Sequence, residues 1–203
     1  MGAVKGRYSA MKATMVLFVG AAVGLSLITA LYAGGKSKPT AFATRKAFVD
    51  AHMPAGASLK LRTVAPSAEV KRRITEHYAV DSVDDSIGYV LGRTEDDKIA
   101  GVCVFVERDL APYAEPHHVA VALTPSGTVE TVALIGPHGE FVATLQTPVF
   151  LTQFARKQPA DGYRLGRDID AVTGATMSSE LVVDVVNMVM GVYHESVAAT
   201  AAK

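Results

Sequence analysis

A single cysteine, Cys103, rules out an internal disulfide and any cysteine-rich metal site. It sits inside an apolar run, the usual setting of a buried, unreactive thiol. A Cys-x-x-Cys-His stretch is missing, which excludes ordinary c-type haem attachment. Net charge is missing too, since 20 basic side chains balance 20 acidic ones. Binding to nucleic acid needs a basic face, so that class of partner is set aside. No Gly-rich phosphate loop, nucleophile elbow or catalytic-triad pattern occurs. The histidines offer no metal-ligand spacing. His117 and His118 are adjacent in a strand-like stretch and so point to opposite faces, while His52, His77 and His194 stand alone in helical or loop segments.

What the chain does have is a long apolar run. Residues 13–33 are 21 consecutive uncharged positions. As a helix they reach about 31 Å, enough for a hydrocarbon core. A secretory signal has a shorter apolar core, about 7–15 residues, and ends at a small-residue cleavage site. Leu31-Tyr32-Ala33 is a poor version of that site, so an uncleaved transmembrane anchor is expected. Gly20 and Gly24 form a GxxxG pair, and Ala22, Ser26 and Ala30 add a row of small residues. Such rows let a second membrane helix approach closely. Charge does not orient the span. Lys5, Arg7 and Lys12 precede it, while Lys36, Lys38, Arg45 and Lys46 follow.

With 203 residues the chain has room for one ordinary domain beside this anchor. Residues 34–65 read as tether and linker, with a weak helical pattern over 41–53 that Pro54 and Gly56 interrupt. A helix is expected over 66–79, with Pro66 near its start, Glu69 in the first turn and Val70, Ile74, His77 and Tyr78 on one side. Its Lys71-Arg72-Arg73 cluster reads as a solvated face. Strand signals begin at Ile87. Runs over 87–93 and 99–106 flank the turn-like Glu95-Asp96-Asp97, and runs over 118–123 and 128–135 flank Pro125-Ser126-Gly127. Two hairpins in succession predict an α+β fold, an antiparallel sheet with flanking helices. A short helix over 147–157 carries Phe150 and Phe154, which at helical spacing belong to the core. The last helix shows an apolar stripe through Leu181, Val185, Met188 and Val192, with Glu180, Asp184 and Asn187 on the other face. A small-residue tail over 198–203 is expected to be disordered.

Between these helices lies Asp170-Ala171-Val172-Thr173-Gly174-Ala175-Thr176-Met177-Ser178-Ser179. Hydroxyl residues and a glycine here open directly into the last helix. A helix start offers unpaired amides and the positive end of the dipole, which suit a phosphate. Gly174 allows a tight turn or a close approach to a ligand. The plainer alternative is a loop with serine caps.

Asp-x-x-Thr-Gly-Ala-Thr resembles the flavinylation motif of the FMN-binding domain family. That family includes flavin subunits of Rnf-type and sodium-pumping NADH:quinone reductase complexes, and the flavin domain of NosR-type regulators. The resemblance implies that Thr176 carries FMN through a phosphoester set by a flavin transferase. It implies that Asp170, Thr173, Gly174 and Ala175 complete the motif, with Ser178 beside them at the cofactor. Phe150-Leu151-Thr152-Gln153-Phe154 is similar to a Phe-x-x-Gln-Phe stretch that precedes the motif in the family. Of the family's His-x-Glu-Thr-Pro-Gly loop only His138 and Glu140 have counterparts. The α+β layout also resembles the family, whose domains face the extracytoplasmic side. By resemblance, 66–197 is therefore an FMN-binding domain held outside the cytoplasm by the span, with residues 1–12 inside. The chain is expected to act as an electron carrier within a larger membrane redox complex, not as an enzyme on its own. A flavin-based redox sensor and a structural accessory subunit without flavin remain as alternatives.

Overall fold

The computed structural model describes residues 41–42, 44–110, 116–135 and 145–198. All of them fall in the compact unit Pro39–Lys203. The expected anchor over 13–33, the loop with His138 and Glu140, and the tail from 199 lie outside the described residues. The elements are β1 (Ala41–Phe42), α1 (Arg45–His52), β2 (Ser58–Val64), α2 (Ala68–Tyr78), β3 (Ile87–Arg93) and β4 (Ile99–Arg108). They continue with β5 (His117–Leu123), β6 (Val129–Ile135), α3 (Pro148–Leu151), α4 (Gln153–Arg156) and α5 (Thr176–Val192), which ends in a π-helical turn over Tyr193–Ala198.

The architecture is α+β, as expected. β2 to β6 run antiparallel, each beside the next, and β1 pairs in parallel with β6, so the sheet reads β1-β6-β5-β4-β3-β2. The two expected hairpins are thus consecutive parts of one meander. β2 corrects the linker reading of 34–65: Leu59 and Leu61 alternate with Lys60 and Arg62, a period-two signal on a strand exposed along nearly its whole length. Its ladder with β3, running from Ser58↔Arg93 to Val64↔Ile87, makes it a strand where burial does not.

The alternation within β5 decides which side of the sheet holds the large core. Val119, Val121 and Leu123 face one side, Ala120 and Ala122 the other, and all are buried. On the bulky side the sheet packs against α2 and α5, with Ile74, Tyr78, Val182, Val185, Val186 and Val189 inside. On the alanine side, among the described residues, the short α1 sets Phe48 and Val49 over Cys103, Ala120, Ala122 and Ala133. Cys103 is buried, as its apolar setting predicts.

α2 is capped by the Ser67 hydroxyl, which accepts from the Val70 amide at 3.3 Å. Its basic cluster is paired: Lys71 with Asp85, Arg72 with Glu76 and Arg73 with both Glu69 and Glu195. α5 passes close to α2 at Gly191, where an added Cβ would lie 2.6 Å from Ile74 Cγ2. One helix among the described residues, Thr176–Ala198, is long and apolar enough to cross a membrane. Here it is the core helix, with 67% of its most apolar window buried.

Candidate functional site

The segment before α5 is irregular, so side chains must hold it in place. Phe150 and Phe154 are fully buried, as expected, with ring centroids 5.7 Å apart edge to face. Phe154 then meets Tyr163 at 5.1 Å. The Tyr163 hydroxyl donates to the Phe154 and Lys157 carbonyls. Burial, and after it the Asp168 charge, pushes that phenol well above its ordinary range. Its backbone is gripped by Asn187. The Tyr163 amide donates to Asn187 Oδ1 at 2.7 Å, and Asn187 Nδ2 donates to the Tyr163 carbonyl at 2.9 Å. Asn187 therefore leaves the polar face expected of it and is 1% exposed.

Asp168 closes the next turn. Its carboxylate accepts from the Arg164 amide at 2.9 Å and from Arg167 Nε at 2.8 Å. The hydrogen bond from Arg167 holds the Asp168 carboxyl below the usual carboxylate range. Asp170 follows with its side chain exposed and its backbone tied to Gln153 of α4.

A tight turn then leads into α5. The Ala175 amide donates to the Val172 carbonyl at 2.9 Å, and Gly174 takes φ +80°. That left-handed backbone favours glycine. Nothing lies within 4 Å of where a Gly174 Cβ would stand, so the turn faces open space. α5 begins at Thr176 with Ala175 as its N-cap and no side-chain cap. The first amides of a helix have no intrahelical partners, and here no hydroxyl covers them from the cap position. The alternative of a serine-capped loop is thereby answered: the serines sit inside the first turn and face inward. Ser179 Oγ donates to the Ala175 carbonyl at 2.8 Å and accepts from the Val172 amide at 3.3 Å. Ser178 Oγ lies 3.1 Å from His117 Nε2, and both residues are fully buried.

Asp170, Thr173, Gly174 and Thr176 thus come together on one exposed turn, with Ala175 and Ser178 buried beneath it. A cleft of about 470 Å³ opens alongside. Val149, Phe150, Ala171 and Val172 supply its apolar wall, and Gln153, Lys157 and Asp170 its polar groups. This volume and composition suit a small organic ligand. Val149 at the rim is 79% exposed and Met177 on the turn 47%, apolar surface that a bound planar ring would cover. The donor set suits FMN: an uncapped helix start for a phosphate, a hydroxyl at Thr176, an unobstructed Gly174 and a mostly apolar cleft. Among the described residues no group of three His, Cys, Asp or Glu is placed to hold a metal ion.

His117 and Gln153 bond residues of the candidate site, and sequence reasoning did not connect them with it. His117 faces the bulky side of the sheet, and His118 the other, where it meets Glu107 at 3.3 Å. Burial, and then the neighbouring His118, hold the His117 imidazole below its ordinary value of 6.5. Well above pH 6.5 the imidazole is neutral in both folded and unfolded chains. Below it the unfolded chain takes up the proton first, so stability falls with falling pH until folded His117 titrates as well. The expected result is a urea midpoint that drops between about pH 7 and pH 5, and a shallower drop in His117→Gln, which cannot titrate. Equal slopes in the two proteins would remove His117 from this role.

No curated protein matches the chain. The family model for the FMN-binding domain matches residues 113–190, a stretch that contains the turn, the first part of α5 and the strands beneath them. Over residues 113–190 the chain is thus similar to the FMN-binding domain family.

Proposed function

We propose that this protein is a membrane-anchored electron-carrying subunit whose extracytoplasmic domain holds FMN as a phosphoester on Thr176. The observation that carries the reading is the exposed Thr176 at an uncapped helix start, inside a stretch that matches the FMN-binding domain. FMN accepts one or two electrons and so links two-electron to one-electron carriers. The protein's part is to place and hold it. α5 is rigid because its far side is core, so a group on its first residue has a fixed mount. The helix start favours the phosphate charge, and Gly174 leaves room for it. The cleft along Val149, Phe150, Ala171 and Val172 would cover one face of the ring, with Lys157 among the polar groups of its lining.

The uncharged run over 13–33 supplies the anchor in this reading, and a covalent bond keeps the cofactor on a domain beyond the cytoplasmic FMN pool. A single span builds no pump or quinone channel by itself, so the electrons pass to and from other subunits of a membrane redox complex. A flavin transferase completes the protein. The test is intact mass and visible absorbance of the native protein purified from its own cells. The expected result is a mass raised by one FMN less water, with a flavin spectrum that stays with the denatured chain. A colourless protein of unmodified mass would leave the structural-subunit alternative standing.

A further inference from the structure

We infer that Gln153 is a positioning residue for flavin transfer, setting the pose in which the Thr176 turn is offered to the transferring enzyme. The inference rests on the reading of Thr176 as flavin acceptor. Gln153 lies 17 residues before Asp170, on α4. Its Nε2 donates to the Asp170 carbonyl at 3.2 Å, and its Oε1 accepts from the Asp170 amide at 2.9 Å. This two-point pairing copies one rung of a β-ladder, so it holds both the place and the direction of the peptide. Its base is firm, because Phe150 and Phe154 on either side of Gln153 are fully buried.

The other end of the turn has its own fastening. Ser179 Oγ bonds the Val172 amide and the Ala175 carbonyl. Between the two fastenings, Ala171, Thr173 and Gly174 are exposed. Releasing Gln153 therefore frees the entry to the motif while leaving α5 and its core contacts in place. An enzyme that accepts a single pose of the turn sees only the fraction of molecules in that pose, and its apparent affinity falls by that fraction. The rate at saturation is unaffected, since the pose reached in the complex is the same.

The transfer itself needs an activated FMN, because a free phosphate monoester has no adequate leaving group. The donor is an anhydride of FMN, of the flavin adenine dinucleotide class. Thr176 Oγ forms a bond to the FMN phosphorus, and the pyrophosphate P–O bond breaks. The adenylate leaves with the bonding electron pair, and the hydroxyl proton passes to a base of the transferase. Nothing is oxidised or reduced. Gln153 touches none of the reacting atoms; its effect is on presentation.

The experiment uses the full chain in detergent, purified without flavin, with flavin transferase and flavin adenine dinucleotide. Initial rates of covalent flavin fluorescence are measured against acceptor concentration. For Gln153→Leu, which loses both bonds, the apparent KM for the acceptor should rise about five- to thirtyfold, the span of one to two ordinary hydrogen bonds. The turnover at saturation should stay within about twofold. Gln153→Glu retains the acceptor for the Asp170 amide but not the donor, and should rise less. Gln158→Leu is the control, since Gln158 bonds Val129 and Phe154 and not the motif. It should lower thermal stability and leave KM unchanged. An unchanged KM in both Gln153 variants, or a loss confined to turnover, would overturn the inference. If Gln153→Leu does not fold, Gln153→Glu decides. A wild-type chain that takes no label at all overturns the flavin reading itself, an outcome distinct from a labelled chain indifferent to Gln153.

Discussion

Thr176→Val is expected to abolish the covalent flavin proposed for this position and to leave the protein folded. The residue is exposed at the first position of α5, so replacing it by an isosteric apolar side chain removes a hydroxyl and no packing. Surface changes of this kind usually move stability by less than about 0.5 kcal/mol. The loss of label should nevertheless be complete, because the oxygen is the only atom that forms the phosphoester. Thr176→Ser, which keeps the oxygen, should keep the label. Thr173→Val deletes an exposed hydroxyl three positions away and should at most slow labelling. Asp170→Asn should reduce it, if the exposed carboxylate is read by the transferase while the Asp170 backbone stays on Gln153. Mass spectrometry reads these outcomes directly, since the chain has no lysine or arginine between Arg167 and Lys203 and trypsin releases 168–203 as one peptide. Flavin found on Thr173, Ser178 or Ser179, or kept in Thr176→Val, would end the assignment.

Asn187→Leu carries the largest expected effect on stability. The leucine has as many side-chain heavy atoms as the asparagine, so a cavity is not the issue. The loss falls on Tyr163, whose amide and carbonyl both bond to the Asn187 side chain inside the core. Each orphaned buried group costs about 1–3 kcal/mol, and about 3 kcal/mol in all is expected after local relaxation. For a domain of this size that lowers the melting temperature by roughly 6–12 °C. Asn187→Asp should not rescue it, because a carboxylate accepts from the Tyr163 amide but cannot donate to the carbonyl. Thermal unfolding followed by far-ultraviolet circular dichroism measures the shift. A melting temperature within about 2 °C of wild type would show that the Tyr163 backbone finds other partners.

Local pattern was enough for much of this protein. The β-branched runs at β3 to β6 and the apolar stripe of α5 are written in consecutive residues, so they can be read from short windows of the chain. The core role of Phe150 and Phe154 was legible for the same reason. So was the resemblance of the stretch from Asp170 to Thr176 to the flavinylation motif, since its residues are neighbours in the chain.

Only the tertiary structure decided what holds that stretch in place. Gln153 meets Asp170 across 17 residues, Asn187 meets Tyr163 across 24, and His117 meets Ser178 across 61. A hydrogen bond between a side chain and a distant backbone leaves no periodic trace, so Asn187 looked like part of a polar helix face. The same holds for β2, whose ladder with β3 makes a strand of residues that burial alone would have left in a linker. By itself the sequence determined most of the elements and the stretch that resembles the flavinylation motif. Chain folding determined which of their hydroxyls and amides stay free to do so, because that depends on partners brought together from far along the chain.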